Sequence, residues 1–179
     1  MQNEDLFKIE DAKPEDVRAI RTIVRDAWVE LYPNEKYGIT REDLSAIDWF
    51  NPEGMEKRRK EIIEDNGDAH FFVLKDSEDK IVGFGKVEKS AEFGEIDAMY
   101  VLPEHKGKGL GKKLMQKAFE WLGNKQDIIL KVVAYNSRAI EFYRKFGFKE
   151  TGKDVSYRGT KLPSGKEIPR IEMVKKAVV

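Results

Sequence analysis

MYVLPEHKGKGLGKKLM, residues 99–115, runs from an apolar stretch through Gly107, Gly109 and Gly111 into an amphipathic segment. Between Leu110 and Leu122, the side chains of Leu114, Met115, Ala118 and Phe119 share one helical face. The pattern predicts a strand that meets a helix through a glycine-rich turn. Glycines let backbone N–H groups come close to an anion, and a helix N-terminus adds unpaired donors and partial positive charge. Lys108 and Lys112 would supplement those donors. A lysine-rich surface turn without a ligand has the same composition, and this segment alone does not separate the two readings. A Walker A loop is excluded, because Lys106 and Lys113 stand where it needs glycine and Ser/Thr around Gly111-Lys112. A Rossmann fingerprint starting at Gly107 fits poorly, with Lys112 on its third glycine.

Upstream, HFFVLK, IVGFGKVEKS and EIDAMYVL, separated by short polar turns, predict three consecutive antiparallel strands leading into the glycine turn. Before them a strand ends near Ile9. A first amphipathic helix follows, with Val17, Ile20, Ile23, Val24, Ala27, Trp28 and Leu31 on its apolar side and Pro14 in its first turn. A second helical region runs from a cap at Thr40 through Leu44 and, beyond Pro52, to Ile63. Downstream, Gly123 stops the helix and DIILKVVAY returns as a buried strand. Asn136 or Ser137 opens another helix that Gly147 ends, and FKETG and IEMVKK close the chain as strands. The expected architecture is a mixed α/β domain, a mostly antiparallel sheet of about seven strands flanked by about four helices. No linker or repeat divides residues 1–179, so one domain is expected.

KGKGLG resembles the GNAT acetyltransferase signature (Gln or Arg)-x-x-Gly-x-(Gly or Ala), with Gly109 and Gly111 on its glycine positions and Lys106 in place of Gln or Arg. Lysine keeps the charge and removes the planar donor fork. Downstream, NSRAIEFYRKFGF resembles the same family's Asn-x-x-Ala-x-x-Phe-Tyr-x-x-x-Gly-Phe segment at Asn136, Ala139, Phe142, Tyr143, Gly147 and Phe148. Two ordered motifs and the element order make the resemblance extend over nearly the whole chain, weakest between residues 32 and 66.

The resemblance implies acetyl-CoA as co-substrate and direct acetyl transfer to an amine. It implies that the fourth and fifth strands splay apart, leaving backbone groups of Met99, Tyr100 and Val101 free for the pantetheine arm and the acetyl carbonyl. The pyrophosphate would rest on Lys106, Gly107, Lys108, Gly109, Leu110, Gly111 and Lys112, with Asn136 on the cofactor arm. Tyr143 matches the family's general-acid tyrosine, and a phenol can donate a proton to the departing sulfur; packing on its helix face is the plainer alternative. Attack requires a neutral amine, and amines near the lysine value of about 10 must first lose a proton. Glu95 and Asp97, alternate residues on one strand face, flank that route, but an exposed acidic pair reads equally well and the base stays unassigned. His70 and His105 have no metal-like spacing, and no metal is expected.

Composition narrows the rest. There are 33 basic and 33 acidic residues, so no net field draws the chain to nucleic acid or an anionic membrane. With no cysteine, a covalent acetyl-cysteine intermediate is impossible and disulfides are absent. The acidic N-terminus and the lack of an apolar run of about 20 residues lead us to expect a soluble cytoplasmic protein. The acceptor side would be lined by the first helices and the last strand connection, where Trp28, Tyr32, Tyr37 and Trp49 offer either an aromatic wall or ordinary core, and Glu30 or Glu35 a charge for a cation. A small amine such as a polyamine is the first expectation. A protein or peptide N-terminus (a RimI-like activity) and a noncatalytic acyl-CoA-sensing module are the alternatives. Exposed sheet edges are compatible with a homodimer.

Overall fold

The computed structural model describes residues 6–64, 67–155 and 161–178. In chain order these form β1 (Lys8–Asp11), α1 (Val17–Leu31), α2 (Arg41–Ser45), α3 (Pro52–Ile63), β2 (Ala69–Lys75), β3 (Ile81–Lys89), β4 (Gly94–Val101), α4 (Leu110–Leu122), β5 (Ile128–Val133), α5 (Ser137–Lys145), β6 (Lys149–Asp154) and β7 (Arg170–Lys175). The strands make one seven-stranded sheet in the order β1-β2-β3-β4-β5-β7-β6. Every junction is antiparallel except β4 beside β5, which is parallel because α4 intervenes as a crossover. The expected mostly antiparallel α/β architecture is therefore present.

Local chemistry explains the element ends. The Asp76 carboxylate accepts the N–H groups of Glu78 and Lys80 and so closes the β2–β3 turn. The Ser90 hydroxyl accepts from Phe93 and closes the next. Asn136 caps α5 by accepting the N–H of Ala139 at 3.1 Å. Gly147, at φ +89°, ends that helix in a conformation L side chains avoid.

The second helical region divides in two, so the described residues form five helices. Thr40 and Asp43 form a capping box that starts α2. The Asn51 side chain then accepts the N–H of Gly54 and, with Pro52 at the first helical position, starts α3 afresh. Trp49 lies in the intervening turn, where its indole N–H reaches the Leu44 carbonyl at 3.0 Å.

The main core lies between the sheet, α1 and α4. Phe72, Leu74, Leu114, Met115 and Leu130 are fully buried there, and truncating any of these residues to alanine costs about 2–5 kcal/mol. A second cluster joins Trp28, Tyr32, Ile39, Leu44 and Trp49 to Val133, Leu162 and Ile168, packing α1 and α2 against the end of β5 and the segment before β7.

One irregularity positions the site. Lys86 pairs with Ala98 and Val87 with Ile96, so Asp97 is an extra residue bulged out of β4. The β4–β5 ladder holds only at Gly94, Glu95 and Ile96 against Ile128, Ile129 and Leu130. A bulge bends its strand and raises local twist. The two strands part company at that bulge.

Candidate active site

The gap between the diverging strands opens into a cleft of about 410 Å³. Its walls include Asp97 to Val101 of β4, Lys131 to Val133 of β5, and Ala139, Phe142 and Tyr143 of α5. Beyond Ile96, β4 has β3 on one side and no ladder partner on the other among the described residues, so its backbone groups on that edge are open to a bound chain. Met99, Tyr100 and Val101 all lie on this stretch.

At one mouth of the cleft stands the N-terminus of α4. Gly109 is its N-cap residue at φ +76°, and no side chain caps the helix. The first helical N–H groups have no partner within the helix and are therefore available to an anion. A Cβ on Gly107 or Gly109 would meet nothing within 4 Å, whereas one on Gly111 would sit 3.3 Å from the Phe142 ring. The turn is thus an open backbone surface fixed from below by α5. Such a cradle, with Lys106 and Lys112 at its edge, suits a diphosphate.

The sequence-derived residues are mostly brought together here. Met99, Tyr100, Val101, Lys106, Gly107, Gly109, Leu110, Gly111, Lys112, Asn136 and Tyr143 all line the cleft. Lys108 does not; its ammonium stands 5.8 Å from the Phe7 ring and near His105. Lys106, on the motif's Gln/Arg position, reaches Glu30 of α1 at 3.5 Å. Asn136 uses its side-chain oxygen as the helix cap while facing the cleft.

Tyr143 packs edge-on against Phe142 and Phe148. Its hydroxyl has no hydrogen-bond partner among the described residues. Burial, with a smaller contribution from Tyr100, pushes the phenol well above its ordinary value, so it is held protonated. Tyr100 itself accepts the Trp28 indole N–H at 2.9 Å and lies 3.4 Å from the Tyr32 hydroxyl. Burial raises Tyr32 in the same direction.

The acidic pair is separated by its partners. Glu95 is ion-paired with Lys131 and is not part of the lining, whereas Asp97 lines the cleft and sits 3.1 Å from Lys86. His70 stacks on Trp121 and meets Asp11 at 3.1 Å, away from the cleft; His105 stands at its rim. Among the described residues no cluster of His, Cys, Asp and Glu is arranged to hold a metal ion. No helix among them is long and apolar enough to cross a membrane.

The acceptor-side expectations fare unevenly. Trp28 and Trp49 are core residues at 5% and 6% exposure, and Tyr37 stacks on Tyr135 at 5.2 Å, so only Tyr32 of that quartet lines the cleft. Neither Glu30 nor Glu35 lines it. Sequence reasoning did not single out Arg170, at the start of β7, which lines the cleft opposite Val133. Its guanidinium stands 5.7 Å over the Trp28 ring, and its Nε is buried with no hydrogen-bond partner among the described residues. An unpaired buried donor on a charged group costs about 1–3 kcal/mol or more.

Comparison with known proteins supplies relatives. The family model described as "Acetyltransferase (GNAT) family" matches residues 18–148. The mycothiol acetyltransferase of Pseudarthrobacter chlorophenolicus is 31% identical over 172 residues, covering 83% of this chain and 47% of that one. The chain spans only 36% to 47% of the length of three such mycothiol acetyltransferases. The crystal structure of PaiA N-acetyltransferase from Thermoplasma acidophilum, in complex with coenzyme A, matches at TM-score 0.71 and 24% identity over 95% of this chain and 98% of that one. Spermidine N-acetyltransferase from Vibrio cholerae, in complex with CoA and spermine, matches at TM-score 0.68 and 19% identity over 97% and 96%. At these identities the structural likeness is one of fold.

Proposed function

The chain belongs to the acetyltransferase (GNAT) family, and from that membership we propose that it is an N-acetyltransferase, a single catalytic domain that passes the acetyl group of acetyl-CoA directly to the amine of a small acceptor. The observation that carries this reading is the cleft itself. An open β4 edge, an uncapped helix N-terminus on a glycine turn, and a half-buried phenol held neutral converge on one space.

When bound, acetyl-CoA supplies an activated acyl carbon with a sulfur leaving group. Backbone N–H groups from Gly107 to Lys112 hold the diphosphate, with Lys106 and Lys112 adding charge. The free edge of Met99 to Val101 aligns the pantetheine arm, and an N–H near Tyr100 polarises the acetyl oxygen as negative charge develops there. Asn136 orients the arm from the β5 side. Tyr143 donates its proton to sulfur as the C–S bond breaks. The low-dielectric walls that keep the phenol neutral also disfavour a free thiolate, so transfer accompanies bond breaking rather than following it. The proton shed by the attacking amine restores the phenol.

Polyamines belong among the candidate acceptors, but the carboxylates expected to attract them lie outside the lining. The direct test is amine-dependent thiol release from acetyl-CoA, which a cysteine-free chain does not obscure. Turnover with small amines is expected, and N-terminal peptides serve as the competing class. A protein that neither binds acetyl-CoA nor releases thiol with any amine defeats the proposal.

A further inference from the structure

The charges lining the tyrosine-rich half of the cleft are unequally matched. Asp97 shares Lys86 with Glu88, and Lys131 is matched by Glu95. Arg170 has no carboxylate or hydrogen-bond acceptor among the described residues, although its Nε is buried. The Trp28 ring lies under the guanidinium at 5.7 Å, and Tyr32 and Tyr100 stand beside it on the cleft wall. Lys112 and Arg138, the other lining cations without a carboxylate partner among the described residues, belong to the first turns of α4 and α5.

A positive charge held by an aromatic face, with its donor fork unused, is a receptor for a planar anion. One unmatched cation balances one negative charge, which fits a carboxylate rather than a phosphate dianion. It opposes a polyamine, whose further ammonium groups would meet the positive charge of Arg170. We infer that Arg170 binds the carboxylate of the acceptor, and that the acceptor is an amino acid or a close relative carrying both an amine and a carboxylate. This rests on the acetyl-transfer reading above and specifies its substrate class.

The test pairs amino acids with their decarboxylated counterparts: L-phenylalanine with phenethylamine, L-leucine with isoamylamine, and spermidine beside them. Acetyl-CoA binding is measured first by calorimetry on the wild type, the Arg170→Gln variant and the Arg170→Lys variant. Absence of binding to the wild type defeats the acetyl-transfer reading itself. With binding present, kcat/KM should favour the amino acids by about 10- to 100-fold, the range expected for one charged hydrogen-bonded pair. In Arg170→Gln that ratio should collapse toward one through KM, and Arg170→Lys should recover only part of it. Equal or better use of the decarboxylated amines or spermidine overturns the inference while the acetyl-transfer reading stands. So does silence of every carboxylate-bearing amine, or a ratio unchanged in Arg170→Gln, because a merely structural arginine would lower both members of each pair alike.

Discussion

Trp28 on α1 donates its indole N–H to the hydroxyl of Tyr100 on β4, 2.9 Å away and 72 residues along the chain. The bond ties the first helix to the half of β4 that has left its β5 partner. Tyr100 also stacks on Phe84 at 5.7 Å, so its ring is fixed from the sheet side as well. The cleft wall is therefore held by contacts distant in sequence.

Trp28→Phe removes that donor and part of the buried ring. The loss of one hydrogen bond and some packing amounts to about 1–3 kcal/mol. Urea unfolding should show a lower midpoint at unchanged slope. Acceptor KM should rise more than the dissociation constant for acetyl-CoA, since the phosphate cradle lies at the other mouth. An equal loss in both would contradict the placement of Trp28 behind the acceptor wall.

Tyr143→Phe should lower kcat by about 100- to 10,000-fold while leaving acetyl-CoA affinity unchanged. Its folded-state value lies above the ordinary 10.0, so the phenol is protonated throughout neutral and mildly alkaline conditions. No alkaline limb belonging to Tyr143 should appear in kcat below pH 10. The same shift makes a stability contribution that is complete below the unfolded value and is lost as pH rises from about 10 through the folded value. A limb near pH 8 that vanishes in Tyr143→Phe would contradict the raised value, and an undiminished kcat in that variant would remove the proposed acid.

Gly109 sits at φ +76° where the phosphate cradle begins. A β-branched side chain there is strained by about 1–2 kcal/mol and covers the backbone donors. Gly109→Val should weaken acetyl-CoA binding by about tenfold or more, read by calorimetry. Unchanged affinity would mean that the diphosphate binds elsewhere.

Asp43 accepts from Lys166 at 2.8 Å and from the Thr40 N–H at 2.9 Å, tying α2 to the segment before β7. Lys166, followed by the Thr40 backbone, holds its carboxyl well below the usual carboxylate range. A depressed value means stability present above the unfolded value near 3.8 and lost as pH falls through the folded one. Asp43→Asn should therefore be less stable than the wild type at pH 7, and the gap should narrow progressively below about pH 4. Thr40→Ala should cost about 1 kcal/mol at neutral pH through the lost cap. Urea midpoints across this range check both.

Much of the site was legible because its parts are local. The glycines at 107, 109 and 111 announced a backbone surface at a helix start, and Asn136 announced a helix cap with the spacing that carries Tyr143. What escaped reading depended on partners far along the chain. Glu95 and Asp97 read as a matched pair, but Lys131 takes one, Lys86 the other, and a bulge intervenes. Trp28 and Trp49, which the sequence offered as either a binding wall or ordinary core, are core, because α2 and the segment before β7 fold over them.

The sequence by itself determined the element order, the caps and stops, and the strand–turn–helix that presents backbone donors, since each depends on residues within a turn or two of one another. Only the tertiary structure decided that β4 leaves β5 after Ile96, that Lys108 faces outward, and that Arg170 enters the cleft with no partner for its buried Nε among the described residues. A strand's register, a bulge and the company of a charge are set by side chains that meet only when the sheet closes, and a periodicity read along one segment carries no information about what will stand across from it.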